Sequence, residues 1–201
     1  MKNHPLETSA KLKSVLLVAL FALTPVLAHA HHLPGQAAGF TSGFSHPLLG
    51  MDHLLAMVAV GLWAAQLGGR ALWMVPAAFV SLMMVGGALG MLGVQLPMVE
   101  GGILASVLIL GLLIATSARL PLSGAMALVG LFAIFHGHAH GTETPVAASG
   151  VVYGTGFALA TAALHAGGIG LGLLARKYTS APALRYAGAA IVLAGICLWL
   201  H

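Results

Sequence analysis

The chain has 201 residues, 59% of them hydrophobic and only 6% charged, with a mean hydropathy of +1.00. A soluble domain carries roughly a quarter charged residues, so this composition excludes a water-soluble fold and describes an integral membrane protein. The net charge of +4 does not point to nucleic acid, because the basic residues are few and scattered between apolar runs.

At the amino end, Lys2, Lys11 and Lys13 surround or precede the apolar stretch SVLLVALFALTPVLA, which is followed by Ala28-His29-Ala30. A positive region, a short apolar core and an A-x-A site predict a signal peptide over residues 1–30, cut after Ala30. An uncleaved first helix is the alternative, but the run is short and broken by Pro25. Residues 31–45 then form an extracytoplasmic amino-terminal segment, and 46–201 the transmembrane helical domain. A mature chain starting His31-His32 presents an α-amine and two imidazoles together. Metal capture and exposure in a flexible leader are both open readings of that pair.

From His46 onward about six runs are long enough to span a ~30 Å hydrocarbon core as helices. They are Pro47–Leu67, Ala71–Leu92, Met98–Ser117, Leu122–His138, Ala147–Ala175 and Pro182–Leu200, the fourth extending through a His-rich segment. Backbone groups in lipid must be satisfied internally, so the fold class is an all-α membrane protein, a compact bundle of about six transmembrane helices after a cleavable signal peptide. Gly-x-x-x-Gly spacings at Gly86/Gly90, Gly150/Gly154 and Gly168/Gly172 fit close helix–helix contact. Cys197 is the single cysteine, so no intrachain disulfide exists.

Arg70, Arg119, Arg176, Lys177 and Arg185 all fall in odd-numbered loops. The positive-inside rule makes those loops cytoplasmic and leaves the mature amino terminus outside, as a signal peptide also requires. The acids beyond the leader, Asp52, Glu100 and Glu143, fall toward the other face together with His46, His53, His136, His138 and His140. Imidazole nitrogen and carboxylate oxygen are ligand types that borderline divalent metals accept. Ionisable groups at membrane depth are costly and usually face a polar cavity or one another. The pattern points to an outward-facing cation site.

Ser45–Gly61, SHPLLGMDHLLAMVAVG, opens the first run. On a continuous helix His46 and His53 stand two turns and roughly 10 Å apart along the axis. They share one ion only if the helix start is irregular, for which Pro47 and Gly50 are suited; otherwise they are successive positions on a path. Asp52 can also favour the positive end of the helix dipole, as can Glu100 at the start of run three, but Asp52 and His53 sit inside the apolar run, which favours the ligand reading. In FHGHAHGTE, His136, His140 and Glu143 fall on one helix face through i, i+4 and i+3 steps, while His138 points elsewhere if the helix continues. His165 lies mid-membrane among small residues, either as a hydrogen-bonded packing element or as a second station on a path. Copper is disfavoured despite nine methionines, since these motifs offer nitrogen and oxygen rather than sulfur.

With these residues assembled, the chain resembles the HupE/UreJ family of bacterial nickel permeases. The first signature, His, five residues, Asp-His, matches His46, Asp52 and His53; the second matches Phe135, His136, Gly137, Ala139, His140, Gly141 and Glu143. The separate nickel/cobalt transporter family has a four-residue gap before its Asp-His, which this chain does not share. The resemblance implies a multi-pass inner-membrane protein moving Ni(II), with Co(II) as the alternative ion, for maturation of hydrogenase or urease. It implies metal ligation by His46, Asp52, His53, His140 and Glu143, extending to His136 and Glu100, with no permanent cofactor. His31, His32, His138 and His165 are accessory candidates. The expected partners are the lipid bilayer and a divalent metal ion, with a homo-oligomer or hydrogenase/urease maturation proteins as further candidates and no nucleic acid.

No G-x-x-x-x-G-K-[ST] stretch is present, so transport would be driven by a gradient or a partner, or be facilitated diffusion. Two rival readings remain: a membrane metalloenzyme that activates water, for which few polar residues are left, and a metal sensor or chaperone without transport activity.

Overall fold

A computed structural model describes residues 39–144, 149–178 and 182–200. The predicted signal peptide, His31 and His32 lie outside the described residues. Among these residues there are seven helices and no strands: α1 Phe40–Leu49, α2 Met51–Leu67, α3 Ala71–Met91, α4 Val99–Thr116, α5 Leu122–Thr142, α6 Gly150–Tyr178 and α7 Pro182–Trp199. Helices α3 to α7 are each long and apolar enough to cross a membrane, and α1 with α2 makes a sixth span if the bent pair is counted as one. The protein is a multi-pass membrane bundle.

The first apolar run is not one straight helix. It breaks at Gly50, whose extended backbone (φ −88°, ψ 119°) separates α1 from α2, and the two meet at 86°. Pro47 lies near the end of α1 and lacks the N–H that would bond the Gly43 carbonyl, which weakens the helix just ahead of the break. The bend turns α1 onto α6, where Gly43 and Gly156 let the two backbones touch. A Cβ on Gly43 would meet the Tyr153 carbonyl, and one on Gly156 the Phe40 carbonyl.

The bundle is built from close pairs: α3 with α5, α2 with α6, and α4 with α7. Glycines set the α3–α5 distance. Gly86 and Gly90 press against the carbonyls of Ile134 and His138, while Gly137 and Gly141 press against those of Met83 and Gly87. Two of the predicted small-residue pairs thus serve backbone contact, the other being Gly168/Gly172, which seats on α2 around Val58, Leu62 and Ala65. Gly150 and Gly154 face only the flexible ends of Met91 and Met84. Trp63, Met57, Val60, Phe79, Val107, Leu110 and Val129 fill the core between these pairs.

One end of the bundle gathers the cationic side chains. Arg176 donates to the Ala65 carbonyl (2.7 Å) and Arg185 to the Ala115 carbonyl (3.0 Å), satisfying the last turns of α2 and α4. Trp63 Nε1 donates to Ala118 O at 3.2 Å and Gln66 Nε2 to Ser117 Oγ at 3.0 Å, fastening the same two helix ends together. The histidines converge at the opposite end of α5.

Candidate metal centre

Helix α5 runs to Thr142, so the segment FHGHAHG is helical throughout. Its register sends His136 and His140 into the bundle on one face, one turn apart. Glu143 caps the helix, more than half of its side chain open to solvent. The bend at Gly50 brings α1 over this helix end. His46 Nε2 lies 3.2 Å from Glu143 Oε2, and the His46 and His140 rings meet edge to face with centroids 4.6 Å apart. His46, His140 and Glu143 each offer a ligand atom within 4.8 Å of the others. His140 Nδ1 is 3.7 Å from the same carboxylate oxygen, too far for a hydrogen bond, and both His140 ring nitrogens are buried without a partner. The His140 imidazole holds the Glu143 carboxyl below its ordinary value against the opposing effect of partial burial, with His46 and His53 acting in the same direction.

Below this mouth the imidazoles continue inward. His53 stacks edgewise against His140 (4.2 Å) and His136 (4.8 Å), so α2 inserts one ring between the two from α5. Asp52 Oδ1 accepts from the His53 backbone N–H (2.7 Å) and lies 2.8 Å from His53 Nδ1. A carboxylate only accepts, so Nδ1 carries the proton and the buried Nε2 presents a lone pair with no protein partner. Asp52 therefore acts on the cluster through His53, the carboxylate–histidine arrangement that orients metal ligands elsewhere. A cavity of about 30 Å³ lies beside His140, walled by Met83, Tyr153 and Phe157 among others. That is room for about one or two waters.

The remaining predicted residues sit apart from this group. His138 points to the other side of α5, where its Nε2 is 2.6 Å from the Val94 carbonyl in the α3–α4 connection. The i, i+2 offset from both His136 and His140 carries it round the helix. Glu100 is exposed in the first turn of α4 and takes no part in the His46–His140–Glu143 group. His165, on α6, is buried at the level of Met57, whose carbonyl is 2.8 Å from its Nδ1.

Several residues at the site were not singled out from sequence. Ser106 on α4 touches His136 (2.9 Å), Phe79 on α3 packs against both His136 and His165, and Phe157 lies 4.2 Å from the His140 ring. Ser106 carried a readable signal, a hydroxyl isolated in the apolar run ILASVLILG. The aromatic residues carried none, because a Phe facing a histidine and a Phe facing lipid are indistinguishable in a run this apolar.

A sequence model described as HupE / UreJ protein matches residues 17–198. The chain belongs to the HupE/UreJ family. Among its relatives is Protein HupE of Rhizobium leguminosarum bv. viciae, 47% identical over 186 residues that make up 92% of this chain and 96% of that protein. No solved structure matches the chain. The family assignment covers both signature segments, the one that supplies His46, Asp52 and His53 and the one that supplies His136, His140 and Glu143.

Proposed function

We propose that the protein carries divalent nickel, with cobalt as the second candidate ion, across the bacterial inner membrane to supply maturation of a metalloenzyme such as hydrogenase or urease. The observation that carries this reading is the convergence of His46, His140 and Glu143, from segments nearly a hundred residues apart, on one partly open mouth. Membership of the HupE/UreJ family supports the same function.

The ion is the cargo. Glu143 offsets part of its charge as water is lost, and His46 and His140 replace that water with nitrogen donors. His53, oriented by Asp52, stands next on the way in. The mouth faces the extracytoplasmic side, since Arg70, Arg119, Arg176, Lys177 and Arg185 belong to the other end and the positive-inside rule places that end in the cytoplasm. The cavity beside the histidines is far below the several hundred Å³ that organic ligands occupy, which favours transport over catalysis.

Purified protein in sealed liposomes, with a metal-quenched dye trapped inside, tests the reading. External Ni(II) should quench the dye faster than in protein-free vesicles. Binding of Ni(II) without entry would overturn transport and leave a sensor or chaperone.

A further inference from the structure

His136 and His165 are both buried, with at most 1% of either exposed, and the mouth described above uses neither as its first donor. Each has one ring nitrogen engaged by the protein and the other buried with no partner, Nδ1 of His136 and Nε2 of His165. The engaged nitrogens determine where the protons are. His165 Nδ1 lies 2.8 Å from the Met57 carbonyl, which can only accept, so Nδ1 donates and Nε2 keeps its lone pair. Ser106 Oγ lies 2.6 Å from the Ile103 carbonyl and 2.9 Å from His136 Nε2. The hydroxyl proton goes to the carbonyl, so Oγ accepts from His136 Nε2–H and Nδ1 keeps its lone pair. Two unrelated helices thus fix which nitrogen of each imidazole is engaged and leave the other open. Both rings pack on the same side chain, Phe79, at centroid distances of 5.6 and 5.1 Å.

We infer that His136 and His165 form a second, inner cation station, built from imidazole nitrogen alone, that admits borderline divalent ions and rejects hard ones. This rests on the transport reading for its purpose but not for its existence. The mouth contains a carboxylate, and carboxylate oxygen also suits Mg(II), Ca(II) and Mn(II). Among the described residues no carboxylate is hydrogen-bonded to His136 or His165. An ion that moves past His53 must exchange oxygen for neutral nitrogen, which nickel, cobalt and zinc tolerate and hard cations do not. With no countercharge in contact, the station binds more weakly than the mouth, as a transit position requires. Ser106 is a positioning residue for it, acting through the proton on His136.

Calorimetric titration of the detergent-purified full chain with Ni(II) alone reads this without reference to transport. The parent should show a tighter and a weaker class of site, and Mn(II) should fill only the first. Two variants keep the buried hydrogen bond and remove the open nitrogen. His165→Asn still donates to the Met57 carbonyl, and His136→Gln still donates to Ser106. Each should lose the weaker class and keep the tighter one, whereas Glu143→Gln should do the reverse. Ser106→Ala should weaken the second class by about 10- to 100-fold, and Ser106→Thr, which retains the hydroxyl, should restore it. One class of site in the parent, or a weaker class that survives in a folded His165→Asn or His136→Gln protein, overturns the inner station. Two classes in a protein that moves no nickel into liposomes would uphold the station and overturn transport instead.

Discussion

His46 and Glu143 lie 3.2 Å apart, although the first belongs to the opening helix and the second to the end of α5. Their meeting goes with the 86° turn at Gly50, which lays α1 against α6. The pair should behave as one unit in metal binding. His46→Ala and Glu143→Ala are each expected to weaken Ni(II) binding by at least about 10-fold, the lower bound set by loss of a mere outer-shell partner. The double variant should lose less than the sum, with a coupling of roughly 0.5–3 kcal/mol, as residues in contact do. Additive losses in a calorimetric double-mutant cycle would show that the two do not share an ion.

His138 and His140 are two positions apart on one helix and should give opposite results. His140→Ala removes a donor from the mouth and should abolish high-affinity Ni(II) binding while leaving the helices folded. His138→Ala should keep parent affinity and cost about 1–3 kcal/mol of stability, because a buried ring is removed and the Val94 carbonyl loses its partner. Circular dichroism melting in detergent, paired with metal titration, checks both.

Nickel binding should weaken as the medium is acidified below roughly pH 6.5, the ordinary imidazole value. The sign follows from competition: an imidazole must be unprotonated to ligate, so each proton bound displaces metal. Glu143 does not contribute this acid limb near neutrality, since His140 holds its carboxyl below the usual range and it stays ionised there. Affinity measured by calorimetry at constant ionic strength should fall on the acid side and level off above neutrality. A flat profile would count against nitrogen ligation.

Glycines at the α3–α5 contact and glycines facing open space should respond differently to the same substitution. Gly137→Ala drives a methyl into the Met83 carbonyl, where no rotamer change gives relief, and should cost about 1–3 kcal/mol. Gly170→Ala meets nothing within 4 Å and should be neutral or gain up to roughly 1 kcal/mol from helix propensity. Thermal unfolding of the two variants in one detergent gives the comparison.

Much of the bundle was legible because apolar run length is itself the membrane signal. The six runs differ from the helices by a few residues at their ends, except the first, where α1 begins at Phe40 and the chain turns at Gly50. Pro47 and Gly50 announced an irregularity there, but neither residue encodes the size of a turn, which comes from α1 packing on α6 through Gly43 and Gly156. In FHGHAHGTE the helical spacing put His136 and His140 on one face and His138 on another, and the helix carries them so. The company they keep was not readable. His53 between two rings of α5, Ser106 beneath His136 and the Met57 carbonyl beneath His165 are contacts between helices, and one chain read alone does not give helix neighbours.

Helices α3 and α5 touch backbone to backbone over successive turns, at Gly86, Gly90, Gly137 and Gly141. Side chains normally cushion two helices and let them slip by small rotamer adjustments; here that cushion is missing, and the pair is a single stiff stave. His136, His140 and Phe79 are mounted on it. In the transport proposed above, the α3–α5 pair is therefore the fixed spine of the conduit, and its rings keep their spacing while an ion passes.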